Sequence, residues 1–307
     1  MRRIVGLFIG LVIVTGAAAA WEDDTSPLTP DPPPPSQGVL TIINFAVDTG
    51  EATLFIFPTG KNMLFDSGDA NCKHGKPSNL IDFLDRHEIT HLDYYAETHP
   101  HHTECERNGQ LNSLIDNKTV QWDYKSIPIG TSKEIEGTNW FFYNGYDLEL
   151  NAIVPPWTEE KYDSDVSNYN SISATVEYNG FVYSFSGDEG PPSQIRFLKN
   201  HPNRVRAHMR LTAHHSWTPV HKPFFMKMDP VFVVVSNGVM IRKWGDDPGW
   251  TQLISMTNEL RADNKRFKEF VVTDEVGNII TKIKGANDWD YKFCENWQTC
   301  VIDHLKQ

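Results

Sequence analysis

Thr98-His99-Pro100-His101-His102-Thr103-Glu104-Cys105 closes an apolar run, His91 to Thr98, that reads as a buried strand. Imidazoles at i and i+2 just past a strand end can converge on one cation, because neutral imidazole is the commonest nitrogen ligand for zinc. Two later pieces have the same character. Ser186-Gly187-Asp188 follows the apolar run Phe181 to Phe185, and Ala213-His214-His215-Ser216 follows the run beginning at Met209. Each places metal-binding side chains where a strand gives way to a loop.

Working outward, Val39 to Ala46 and Ala52 to Phe57 are rich in β-branched and aromatic residues and read as short strands, as does Asn62 to Phe65. Pro77 to His87 has helical spacing, with Leu80, Phe83 and Leu84 on one face. A helix is expected around Gln110 to Asp116. Short strands are expected near Trp140, at Leu148 to Val154, at Ile172 to Tyr178 and at Phe181 to Phe185. Asn179-Gly180 joins the last two as a hairpin. Ser193 to Lys199 and Thr251 to Ala262 read as helices, and Met209 to Ala213 and Val231 to Ser236 as strands. A final pair, Phe270 to Thr273 and Ile279 to Ile283, flanks a turn at Val276-Gly277-Asn278. This order implies two mixed sheets with helices outside.

The rest of the chain bounds its setting. Met1-Arg2-Arg3, an apolar run from Ile4 to Val14 and Ala18-x-Ala20 form an export signal over residues 1–20, too short to span a bilayer. Cleavage after Ala20 would deliver a secreted or periplasmic protein with no membrane span. Residues 21–38, with Pro27, Pro30 and Pro32 to Pro35, read as an extended linker. Residues 39–285 are enough for one large domain, and 286–307 read as a C-terminal tail. The formal net charge of −12 disfavours extended nucleic acid as a partner. The basic stretch Arg196, Lys199, Arg204, Arg206 and Arg210 reads as a solvated helix and strand edge. Four cysteines, Cys72, Cys105, Cys294 and Cys300, suit disulfides in an exported chain. Cys294 and Cys300 can staple the tail and Cys72 can meet Cys105, but the three connectivities stay open.

The order of these segments resembles the metallo-β-lactamase superfamily, and within it the extracellular domain of ComEC-type competence proteins. The resemblance rests on Gly50-Glu51-Ala52-Thr53-Leu54, Leu64-Phe65-Asp66-Ser67-Gly68, Thr98-His99-Pro100-His101, Asn170-Ser171-Ile172-Ser173, Ser186-Gly187-Asp188 and Ala213-His214-His215-Ser216. It implies an α/β fold, a four-layer αββα sandwich with the metal site at one edge of its two sheets. It also implies a ligand set: His99 and His101 on a first metal, Asp188 bridging, and His214 or His215 on a second. Asp66 would be the carboxylate that orients an imidazole. The family motif H-x-H-x-D-H is altered here, with Thr103 at the aspartate position and Glu104 at the last histidine. Thr103 cannot act as an anionic ligand or base, whereas Glu104 can supply a hard oxygen.

The resemblance therefore implies an exported hydrolase with one or two divalent ions, zinc first and manganese or iron as alternatives. It would cleave a phosphoester or other ester by a metal-bound water. The substrate would be a small-molecule, cell-wall or nucleotide-type phosphoester. The rival reading is a non-catalytic binding or scaffold member that keeps the sandwich and has lost the site. Oligomeric state is not legible. The tryptophans of the second half, Trp217, Trp244, Trp250, Trp289 and Trp297, read first as core and second as a partner surface.

Overall fold

A computed structural model describes residues 38–48, 50–68, 78–99, 114–122, 129–144, 171–236, 248–263 and 266–294. The expected export signal, most of the expected linker, His101, Glu104, the expected strand at 148–154, Trp244 and Trp297 lie outside them, as does most of the expected helix at 110–116.

The first sheet contains β1 (Leu40–Asn44), β2 (Thr53–Ile56), β3 (Asn62–Phe65), β4 (Tyr94–Ala96), β5 (Val120–Trp122), β13 (Asn278–Gly285) and β14 (Asp288–Cys294). Its strand order is β14-β13-β1-β2-β3-β4-β5. The second contains β6 (Ser132–Ile135), β7 (Thr138–Asn144), β8 (Ile172–Tyr178), β9 (Phe181–Phe185), β10 (Met209–Leu211), β11 (Phe232–Val235) and β12 (Glu269–Val272). Its order is β12-β11-β10-β9-β8-β7-β6, with β9 through β12 mutually parallel.

Alternation along the strands builds the layers. Ile42, Phe55, Met63 and Phe65 point from the first sheet into a shared core with Trp140, Val176, Tyr183, Phe185 and Phe232 of the second. Phe65 stacks on Trp140 at 6.3 Å and meets Phe185 edge-on at 4.6 Å, so one aromatic cluster ties the sheets together. The alternate residues Ile43, Leu54, Ile56 and Leu64 face outward and are covered by Leu80, Phe83 and Leu84 of α1 (Ser78–Arg86). On the far side Val233 and Val235 pack under α3 (Lys222–Met228) and α4 (Pro248–Asp263) through Phe225, Leu253 and Met256. Phe141 and Tyr143 pack against Phe197 of α2 (Pro191–Asn200). Helices, sheet, sheet, helices: the four-layer αββα sandwich is present. Strands covered on both faces explain why they read as continuous apolar runs instead of alternating ones.

Several expectations change. The strand expected from His91 to Thr98 is only three residues long, because the Asp93 carboxylate accepts from Asn62 N–H, and Glu97 and Thr98 already belong to the site loop. The two strands flanking the Val276-Gly277-Asn278 turn are not partners: β12 ends the second sheet and β13 pairs with β1 in the first. Residues 286–307 are not all tail, since β14 pairs along β13 and carries the domain to Cys294. Cys294 is buried and disulfide-bonded, and the other three cysteines lie outside the described residues. Arg210 is not on a solvated edge; it is buried in β10 and ion-paired. Trp250 and Trp289 pack against the cores as expected. Among the described residues no helix is long and apolar enough to cross a membrane.

Candidate metal centre

The carboxyl ends of β3, β4, β9, β10 and β11 open onto one rim, and the candidate residues arrive there on the loops that follow. Gly187 lets two of these loops meet. Its φ is +45°, and a Cβ there would lie 2.6 Å from the Cβ and Oγ1 of Thr98. Its carbonyl accepts from His214 N–H at 2.9 Å, and the next amide, Asp188 N–H, donates to Ser171 Oγ at 3.0 Å. The three segments after β4, β9 and β10 are thus held by direct contacts before any side chain is placed.

Asp188 is the hub. Its Oδ2 lies 3.5 Å from His99 Nε2 and 3.7 Å from His214 Nε2, and its Oδ1 lies 3.6 Å from His215 Nε2. Ligands about 2.0–2.1 Å from a tetrahedral zinc are separated by roughly 3.4 Å from one another, so these spacings are close to those of donors sharing an ion. The sphere is not closed: among the described residues no group of three or more His, Cys, Asp or Glu side chains is gathered tightly enough to hold an ion as it stands.

Each imidazole is oriented through its other nitrogen. His215 Nδ1 donates to the carbonyl of Ser236 at 2.8 Å, which leaves Nε2 as a bare lone pair. His99 Nδ1 lies 2.9 Å from Thr98 Oγ1, and His214 Nδ1 lies 2.6 Å from Thr218 Oγ1. Asp66 accepts from Thr98 N–H at 2.8 Å and also hydrogen-bonds the Thr98 hydroxyl. When Asp66 is ionised it only accepts, so the hydroxyl donates to it and accepts from His99 Nδ1–H, freeing His99 Nε2 as well. Asp66 thus acts on His99 through Thr98. Burial pushes its carboxyl up to about 8, against the lowering effect of the Thr98 hydrogen bonds.

The turn Ala213–Ser216 carries unusual backbone. His214, His215 and Ser216 have φ of 47°, 50° and 68°. Three successive non-glycine residues in the left-handed region store strain, and here it turns both imidazoles toward Asp188. Gly249 in the first turn of α4 packs against this turn so closely that a Cβ would sit 2.5 Å from the Ser216 carbonyl oxygen.

A buried ion pair supports the Asp188 loop. Arg210 donates to Glu189 Oε1 at 3.0 Å and to Ser184 Oγ at 2.9 Å, while Ser173 donates to Glu189 Oε2 at 2.6 Å. This network clamps the residue after Asp188 onto β8, β9 and β10.

The structure therefore brings together His99, Asp188, His214, His215 and Asp66. His101 and Glu104 fall outside the described residues. The donor set of three imidazoles and a carboxylate, with the imidazoles hydrogen-bonded at Nδ1, fits a divalent cation. Sequence reasoning missed the roles of Thr98, Glu189 and Arg210, and it gave none to Glu51, which lines the same cavity as His99, Asp188 and His215. The available signal was a charged residue directly before a strand expected to be fully buried.

No family model matches the sequence, and no curated protein matches it. Among solved structures the chain is similar to the metallo-β-lactamase fold protein YhfI from Bacillus subtilis, at 11% identity and a TM-score of 0.46, over 80% of this chain and 100% of that one. It is also similar to Tm1679, a metal-dependent hydrolase of the β-lactamase superfamily, at 11% identity and a TM-score of 0.44, over 78% of this chain and 98% of that one.

Proposed function

We propose that this chain is an exported metal-dependent hydrolase of the metallo-β-lactamase superfamily acting on a phosphoester or other ester. The observation that carries the reading is the convergence of His99, His214 and His215 on Asp188, each imidazole hydrogen-bonded at Nδ1. His99, His215 and Asp188 hold one divalent ion, zinc before manganese or iron. His214 completes that sphere or serves a second ion, with His101 and Glu104 as further donors. A bound divalent cation supplies Lewis acidity and water activation near neutral pH. The chain's residues do the rest. Ser236 and Thr98 fix the imidazole tautomers, Asp66 holds or releases a proton two hydrogen bonds from His99, through Thr98, and the Arg210–Glu189 pair keeps the Asp188 loop in place.

The net charge of −12 favours a small, cell-wall or nucleotide-type phosphoester over extended nucleic acid, despite the ComEC-like motifs. The export signal places the enzyme outside the cytoplasm, where a pairing of Cys294 with one of the other cysteines is stable. A second reading, a scaffold without catalysis, is favoured by Thr103 at the family's aspartate position.

Elemental analysis of the tag-free protein beside a His99→Ala/His215→Ala variant, followed by assay of aryl phosphodiesters and carboxylic esters with zinc, manganese or iron, separates the two. Stoichiometric metal lost in the variant, with ester cleavage that follows metal content, is the expected result. A folded wild type that takes up no metal eliminates the hydrolase.

A further inference from the structure

Glu51 connects β1 to β2, is only 6% exposed, and has an Oε1 with no hydrogen-bond partner among the described residues. Its backbone is gripped from both sides. The Gly68 amide donates to its carbonyl at 2.6 Å, and Ser236 Oγ donates to the carbonyl of the preceding Gly50 at 2.6 Å. Ser236 is also the residue whose carbonyl orients His215. The backbone of Glu51 is thus tied to the frame of the centre. Its carboxyl lines a cavity of about 10 Å³ together with Asp66, His99, Asp188 and His215, room for a single water-sized guest.

Buried carboxylates are paired with a cation, neutralised, or bound to a metal. Arg210, whose charge acts on Glu51, is already committed to Glu189 and the strand serines. Neutralisation alone leaves Oε1 without a partner.

We propose that Glu51 is an oxygen ligand of the same metal centre, supplying from the first sheet the anionic donor that Thr103 does not. This rests on the metal-dependent reading above. It also changes the symmetry of the site. Asp188, His214 and His215 come from the second sheet, whereas Glu51 and His99 come from the first, so the ion bridges the two sheets at their rim.

The test is titration of chelator-stripped protein with zinc or manganese alone, by calorimetry and by elemental analysis after dialysis, in wild type, Glu51→Gln and Glu51→Asp. Glu51→Gln keeps the volume and removes the anionic donor. It should weaken metal binding by at least about tenfold or lower the stoichiometry, without lowering the melting temperature of the metal-free protein. Glu51→Asp keeps the charge and should recover part of the loss. A Glu51→Gln protein with wild-type stoichiometry and less than about tenfold weaker binding overturns the assignment while leaving the metal centre standing. A wild type that binds neither metal overturns both. Should Glu51→Gln not fold, Glu51→Asp decides: binding equal to wild type overturns the proposal, and weakened binding in a folded protein supports it.

Discussion

His215 and Ser236 are joined by a 2.8 Å hydrogen bond from an imidazole nitrogen to a backbone carbonyl, whereas His99 is joined at 2.9 Å to a side-chain hydroxyl, that of Thr98. The first contact survives any substitution at position 236, and the second does not. Thr98→Val keeps the shape and removes the link between Asp66 and His99. It should weaken zinc binding roughly 10–100-fold while leaving the fold intact. Competition against a chromophoric chelator measures this, and unchanged affinity would show that Thr98 has no part in orienting His99.

Asp66 gives the metal-free protein a pH dependence of defined sign. Its carboxyl titrates at about 8 when folded and near the ordinary value of about 3.9 when unfolded. Between these values the folded chain holds a proton that the unfolded chain has lost. Stability should therefore fall as pH rises from about 4 to about 8, then level off. In Asp66→Asn that slope should be shallower. Urea unfolding in chelator across this range tests it, and equal slopes in the two proteins would rule out the assignment.

The Arg210–Glu189 pair is buried at both ends. Glu189→Ala leaves an uncompensated guanidinium in the interior and should cost about 3–5 kcal/mol. The double replacement Arg210→Met/Glu189→Leu should cost less than Glu189→Ala alone, because no charge is left behind. Denaturant midpoints of the three proteins give the comparison.

Gly187 and Gly60 both have positive φ, but only Gly187 has neighbours where a Cβ would go. Gly60→Ala should cost about 1–2 kcal/mol from backbone strain alone. Gly187→Ala adds a collision with Thr98 and should shift the Asp188 loop, so it should lose metal binding as well as stability. If the two variants bind zinc alike, the close approach at Gly187 does not position the ligand.

Much of the fold was legible because both sheets are covered on both faces. Ile172 to Tyr178 is β-branched enough and Asn62 to Phe65 apolar enough to be read directly, and Asn179-Gly180 marks the hairpin between β8 and β9. Short or polar edge strands such as Ser132–Ile135 and Asp288–Cys294 were missed, since they bury too few apolar residues to leave a pattern. The helix Lys222–Met228 was missed for its shortness. His99, Asp188, His214, His215 and Asp66 could be picked out as donors at strand ends because that is a local property.

The sequence by itself determined the two-sheet architecture and the strand-end placement of the donors. These depend on periodicity and residue type along one stretch of chain. Only the tertiary structure decided that Asp188 stands between three imidazoles, that Thr98 links Asp66 to His99, that Arg210 is an interior cation, and that Glu51 shares the cavity. Those are contacts between loops of different strands, in a frame where partners such as Gly50 and Ser236 stand 186 positions apart. Some join neighbouring loops of one sheet and others cross between the two packed sheets, and no local pattern encodes either.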